Sequence, residues 1–198
     1  MVFGSSRPRQ RYLNQQEVQM NPSLSAIVVM GVAGCGKSSV GAAIATRSGG
    51  RLIEGDAFHP AANIAKMSAG IPLNDDDRAG WLVRLGEELQ ATLAAGERPI
   101  LTCSALKRRY RDTLRLAVPE LCFVFLELTP QEAEKRVLAR PGHFMPASLI
   151  DSQFAALEPP HVEPLTLALD ATRPLPTLAE DVHQWLKPCG EQALARTA

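Results

Sequence analysis

Gly31-Val32-Ala33-Gly34-Cys35-Gly36-Lys37-Ser38 holds the densest chemistry in the chain and matches the pattern G-x-x-x-x-G-K-[ST]. Glycines at those positions let a loop curl until successive backbone N–H groups point at phosphate oxygens. Lys37 then reaches the β- and γ-phosphates, and the Ser38 hydroxyl ligates Mg²⁺. A helix that opens at the end of such a loop adds its positive dipole end to the same anion. The run Ala26–Met30 ahead of the loop reads as a buried strand and the residues behind it as a helix, the context a phosphate-binding loop requires. Gly31, Val32, Ala33, Gly34, Cys35, Gly36, Lys37, Ser38 and Ser39 are therefore assigned to the phosphates of a nucleotide.

A phosphate loop alone does not separate a kinase from a GTPase or a motor. Asp77-Arg78-Ala79-Gly80 fits D-x-x-G, and Cys103-Ser104-Ala105-Leu106 looks like a fragment of a guanine-reading loop. Yet Asp77 follows Gly70-Ile71-Pro72-Leu73-Asn74 and not a buried strand, and the chain contains no N-K-x-D motif, so the GTPase reading is set aside. Transfer to an alcohol needs a carboxylate that orients the hydroxyl and accepts its proton. Asp56 stands just past the second predicted strand, on the same sheet edge as the loop, and is the candidate base; capping the next turn is its alternative role. One or more of Asp75, Asp76 and Asp77 is expected to cap the helix carrying Trp81 and Leu82, with contact to substrate or Mg²⁺ as the other possibility.

The elements that must position these groups alternate. Ala26–Met30, Arg51–Glu54, Pro99–Cys103, Leu121–Leu128 and Leu165–Leu169 read as strands. Leu82, Leu85, Leu89 and Leu93 fall on one helical face. Thr129-Pro130-Gln131-Glu132 combines an N-cap, a first-turn proline and a capping-box glutamate. Thr177 and Glu180 predict a second capping box ahead of Leu178, Val182, Trp185 and Leu186, with Pro188 as the stop. Alternation at these lengths implies a parallel sheet wrapped by helices, with ligands at the carboxyl ends of the strands.

The chain has 198 residues, 45% hydrophobic and 21% charged, which suits a single packed domain. Its 21 Lys plus Arg offset 21 Asp plus Glu, so no overall basic field gathers nucleic acid or an anionic membrane. The longest apolar run falls far short of the ~20 residues that span a bilayer, and residues 1–20 contain no apolar stretch of the kind a signal peptide carries. Four cysteines without a C-x-x-C pair read as reduced thiols, which places the protein in the cytoplasm. Residues 1–24, basic and acid-poor at their start, are expected to form a flexible tail, or to follow from an upstream start codon with Met20 as the true start. Residues 25–188 form the predicted domain, and residues 189–198 a frayed end.

Beyond the loop, the strings GDAFHP (Gly55–Pro60), NIAKM (Asn63–Met67), GIPLNDDDR (Gly70–Arg78) and Trp81-Leu82 resemble the gluconate kinase family of P-loop carbohydrate kinases. Cys103–Lys107, Tyr110-Arg111-Asp112, Leu114-Arg115, Arg140–Met145 and Gln153 continue the likeness, which covers about residues 26–186. Cys35, where the family commonly has a small hydroxyl residue, and the extra tail are the departures. The resemblance implies an α/β, three-layer P-loop kinase fold, a parallel five-stranded sheet with helices on both faces and a small mobile lid around 136–147. It implies ATP-dependent phosphorylation of D-gluconate at its 6-hydroxyl, with Mg²⁺, in a homodimer.

Gluconate is an anionic polyol, so its pocket needs a cation and several hydrogen-bonding side chains. Arg78 and Lys107 are the candidates for its carboxylate, and His59, Asn63 and His143 for its other groups. For Lys107, with Arg108, Arg109 and Arg111, a solvated helix face is the alternative. Arg136 and Arg140, four apart and leading into Pro141-Gly142-His143-Phe144-Met145, are assigned to the γ-phosphate as part of the lid, with an ordinary surface helix as the alternative. Cys35, at a helix N-terminus, is either an oxidant-sensitive thiol or a small side chain filling the loop.

Overall fold

Ile27–Met30 forms β1, and all four residues are fully buried. A strand covered on both faces cannot alternate apolar and polar residues, which is why this segment is an unbroken apolar run. The computed structural model describes residues 26–139 and 147–187; the predicted tail and the frayed end from 189 lie outside the described residues. β2 (Arg51–Glu54), β3 (Pro99–Thr102), β4 (Cys122–Glu127) and β5 (Thr166–Asp170) join β1 in a five-stranded sheet of order β2-β3-β1-β4-β5. Every pairing is parallel. The five strands agree with the five predicted runs to within a residue or so at each end.

Helices cover both faces, and successive residues of β1 divide between them as the pleat requires. Ile27 and Val29 pack with Val40 and Ile44 of α1 (Lys37–Ser48), Val137 of α5 (Pro130–Leu138), Ile150 of α6 (Ala147–Ala156) and Val182 of α7 (Leu175–Trp185). Val28 and Met30 face the other layer, against Trp81, Leu82, Leu85 and Leu89 of α3 (Asp75–Ala94) and Leu114 of α4 (Arg108–Ala117). A short α2 (Ala61–Ser68) precedes α3. The leucine stripe of α3 is thus on its core face, as its spacing predicts.

Helix starts follow local chemistry with two revisions. Thr129 Oγ1 accepts from Glu132 N (3.3 Å) and Pro130 opens α5, as read. On α3 the N-cap is Asn74 and not an aspartate: Asn74 Oδ1 accepts from Asp77 N (2.8 Å), and Asp77 Oδ2 accepts from Asn74 N (3.0 Å). The aspartates fill the first turn, where the helix dipole favours them. On α7 the Thr177–Glu180 box does not form, because the helix opens earlier, at Leu175 with Pro174 as N-cap and a proline in the first turn. Proline presets the helical φ and lacks only an N–H that the first turn does not use. Glu180 instead accepts from Gln184 and pairs with Arg47.

Arg111 rules out the solvated-face alternative for that residue. It is 0% exposed, and its Nη1 donates to the carbonyls of Ala105 (2.8 Å) and Leu106 (3.0 Å). Nη2 donates to Glu158 O (2.9 Å), and the guanidinium forks onto the carboxylate of Glu163, which Arg115 Nη1 also reaches at 2.8 Å. This cluster ties α4 to the segment between α6 and β5 and to the loop after β3.

Candidate active site

Parallel strands end on one edge, so Met30, Glu54 and Thr102 place their successors side by side. Chain connections leave β1 toward β2 on one side, while β4 lies on the other, which makes the end of β1 the switch point where such sheets bind ligands. The glycine loop sits there. Gly31 has φ +140°, and a Cβ on it would lie 2.7 Å from Leu126 O and 2.9 Å from Cys35 Sγ. Gly34 has φ +81°, and a Cβ there would lie 2.9 Å from Ala133 O. Side chains are therefore excluded on both steric and backbone grounds. Gly36 caps α1 with no side-chain hydrogen bond, which leaves the first-turn N–H groups for an anion.

Lys37 Nζ donates to Gly31 O (3.1 Å) and Val32 O (2.9 Å), so its ammonium lies along the loop. Ser38 and Ser39 are exposed beside it, while Val32, Ala33 and Cys35 turn into the core. Cys35 is 1% exposed, so the oxidant-sensitive expectation gives way to the filling role. The Ala33 N–H is donated to Gln153 Oε1 at 2.7 Å, which docks α6 on the loop.

Glu54 is a residue the sequence reading passed over. Its Oε2 accepts from Ser38 Oγ (3.0 Å) and from Thr102 Oγ1 (2.6 Å), which puts a carboxylate directly behind the predicted metal ligand. Its position at the end of β2 was the available signal, since a parallel sheet brings that end to the loop.

Asp56 follows in a 3₁₀ turn (Gly55–Phe58), with a side chain 85% exposed. Trp81 Nε1 donates to Gly55 O (2.8 Å), and a Cβ at Gly55 would meet Thr102 O at 2.3 Å, so the turn is held close against β3. His59 stacks on Trp81 with ring centroids 4.1 Å apart. Burial lowers the His59 pKa; Asp56 opposes that shift and Arg78 adds to it. Asn63, 3% exposed, donates to Asp77 O (2.7 Å) and lies 3.4 Å from His59 Nδ1. Its amide protons are thus spent inside the protein.

Arg78 lies in the first turn of α3, 5.8 Å from the Tyr110 ring centroid, and among the described residues no carboxylate pairs with it. Lys107 differs: its Nζ donates to both Asp75 oxygens (2.9 and 3.1 Å), and Arg109 and Tyr110 converge on the same carboxylate. Asp75, Arg78, Lys107 and Tyr110 line one side of a pocket of about 110 Å³, with Met67, Ile71 and Leu149 among its apolar walls. Cys103 follows β3 directly and is 1% exposed. Burial pushes its thiol up to about 12, with Asp56 adding to the shift and Lys37 and Arg78 opposing it.

Arg136 donates Nε to Glu132 Oε1 (3.3 Å) and Nη2 to Ala171 O (3.1 Å), which ties α5 to the segment after β5. Arg140, His143 and the centre of the predicted lid lie outside the described residues.

No protein-family profile matches the chain. It is 47% identical to the gluconokinase of Gluconobacter oxydans over 148 residues, 75% of this chain and 83% of that protein. It is 38% identical to the thermosensitive gluconokinase of Escherichia coli, over 80% of this chain and 86% of that protein. The chain belongs to the gluconokinase family. A crystal structure of a gluconokinase from Sinorhizobium meliloti superposes with a TM-score of 0.77 at 46% identity, covering 88% of this chain and 98% of that one. Family membership thus extends to the fold, a P-loop kinase sheet with its helix layers. Among the described residues no helix is long and apolar enough to cross a membrane.

Proposed function

We propose that the chain performs the reaction of its family, transfer of the γ-phosphoryl group of ATP to the 6-hydroxyl of D-gluconate, giving 6-phosphogluconate and ADP. The observation that carries this reading is the phosphate loop at the switch point of the sheet, with Ser38 hydrogen-bonded to Glu54 at the end of β2 and Asp56 in the turn that follows it. Backbone amides from Gly36 to Ser39, at the amino end of α1, bind the phosphates, while Gly31 N and Ala33 N stay on Ser104 O and Gln153 Oε1, and Lys37 swings from the loop carbonyls onto the β- and γ-oxygens. Asp56 accepts the proton as the 6-oxygen attacks the γ-phosphorus and the bond to the β–γ bridging oxygen breaks. Ser38 Oγ backed by Glu54 is the hard-oxygen donor set that suits Mg²⁺. When bound with the nucleotide, the ion neutralises phosphate charge.

Arg78 is the better placed of the two cations proposed for the acceptor carboxylate, since Lys107 Nζ already hydrogen-bonds both oxygens of Asp75. Lys107 and Tyr110 then shape the pocket wall. Arg140, Arg136 and His143 are proposed to complete the site from the lid, Arg136 from its anchored position at the end of β5. The wider proposal is a cytoplasmic homodimer with one kinase domain over residues 25–188 and a flexible segment at each end. The buried free thiols of Cys35, Cys103 and Cys122 support a reducing compartment.

A coupled ADP-release assay over a panel of acceptors tests the reading. D-gluconate is expected to drive turnover far above shikimate, nucleoside monophosphates and neutral sugars, and turnover on one of those with none on gluconate overturns it. An Arg78→Ala enzyme is expected to show a KM for gluconate raised about tenfold or more, the scale of a lost charge-assisted contact, with the KM for ATP barely moved. Equal changes in both constants remove the carboxylate role.

A further inference from the structure

We infer that His59 is the positioning residue of the catalytic carboxylate: Asn63 holds its ring in the tautomer whose Nε2–H orients Asp56 toward the acceptor alcohol. The inference rests on Asp56 acting as general base and replaces the sugar-hydroxyl role proposed for His59.

Three contacts in series carry it. The carbonyl of Asp77 lies 2.7 Å from Asn63 Nδ2, and a carbonyl only accepts, so the amino end of that amide is the one placed there. The same Nδ2 lies 3.4 Å from His59 Nδ1. An amino group has only protons to give, so Nδ1 is the acceptor and the neutral ring carries its hydrogen on Nε2. Nε2 is 3.9 Å from Asp56 Oδ1.

The ring cannot turn away, because its side chain is 2% exposed and stacks on Trp81 with an interplanar angle of 17°. Trp81 in turn holds Gly55 O, so one indole fixes both the imidazole and the backbone next to Asp56. The carboxylate is the mobile partner. It is 85% exposed, and a small rotation closes the gap, as hydrogen bonds in resting active sites tighten when substrate binds.

The charged groups facing the ring are Asp56 and Arg78, and burial is the largest influence on it, which keeps the ring neutral near pH 7. A neutral donor orients the carboxylate without the strong loss of basicity that an adjacent cation would impose.

His59→Phe keeps the ring stack and removes the N–H, and Gln places an amide N–H near the Nε2 position. His59→Phe is expected to lower kcat about tenfold or more with the KM for gluconate and ATP nearly constant, because the carboxylate loses the donor that orients it. His59→Gln is expected to recover most of kcat. In an Asp56→Asn background, His59→Phe is expected to cost little more. Unchanged kcat in His59→Phe, a raised KM for gluconate with kcat kept, or an additive loss in the double variant overturns the inference. If Asp56→Asn alone turns over normally, the general-base reading itself has failed. ¹⁵N spectra of histidine-labelled wild-type enzyme, with His59 assigned by its absence in His59→Gln, are expected to show Nε2 protonated. Protonation on Nδ1 overturns the inference without reference to any variant's folding.

Discussion

An Asp56→Asn enzyme is expected to lose about 10²-fold or more in kcat, the scale on which general bases contribute, while unfolding at the wild-type temperature. The side chain is 85% exposed, so the substitution empties no packed volume. The turn around it is held by backbone and indole contacts, His59 N to Asp56 O at 3.4 Å and Trp81 Nε1 to Gly55 O at 2.8 Å, which asparagine leaves in place. Asparagine keeps the shape and the acceptor oxygen but cannot take the proton. The loss should therefore fall on kcat, with the KM for ATP unchanged because the phosphate loop is untouched. Steady-state kinetics beside thermal unfolding check both halves. Near-normal turnover would return Asp56 to a turn-capping residue.

Arg111→Met is expected to act on stability instead. Arg111 and Glu163 have side chains 1% and 6% exposed, and removing Arg111 costs about 3–5 kcal/mol, because Glu163 is left with Arg115 alone and three backbone carbonyls lose their donor. For a domain of this size that lowers Tm by roughly 6–20 °C. The effect has a pH signature. Burial raises the Glu163 pKa, but hydrogen bonds from Arg111 and Arg115 outweigh it and hold the carboxyl below its usual range. A lowered folded pKa means the stabilisation is fully present above the ordinary glutamate value of about 4.3 and is lost as pH falls through the folded one. The Tm gap between wild type and variant should narrow as pH drops below about 4.3. A gap that is small at pH 7, or that widens in acid, contradicts this account. Replacing both residues by apolar ones of similar volume is expected to recover part of the loss, since a buried carboxylate with half its partners is then removed.

The sites of these two variants differ in how far they were legible. Asp56 could be singled out as a candidate because its surroundings are local: a strand end, a glycine, an aspartate, and a topology rule that brings strand ends to one edge. Arg111 was given a solvated helix face as an alternative because it sits in a run of basic residues on an amphipathic helix, and its partner is 52 residues away. Glu54 was passed over for a related reason. Its contacts are Ser38, 16 residues back, and Thr102, 48 ahead, and a glutamate closing a strand carries no mark of either. Lys107 was given a substrate's carboxylate when Asp75, 32 residues earlier, supplies one within the protein.

The amino-acid order alone determined the five strands, the phosphate loop with its required glycines, the leucine face of α3 and the family. Each of these is written within a few neighbouring residues, where backbone geometry and helical or strand periodicity act directly. Tertiary structure decided which long polar side chains are spent inside the protein and which face a ligand: Gln153 on the Ala33 amide across 120 residues, Asn63 on His59, Asp75 on Lys107, and Arg78 left to the pocket. The physical reason is reach. A flexible charged side chain takes whichever partner the packed elements bring within about 3 Å, and which partner that is depends on distances that exist only after the sheet and its helices have assembled.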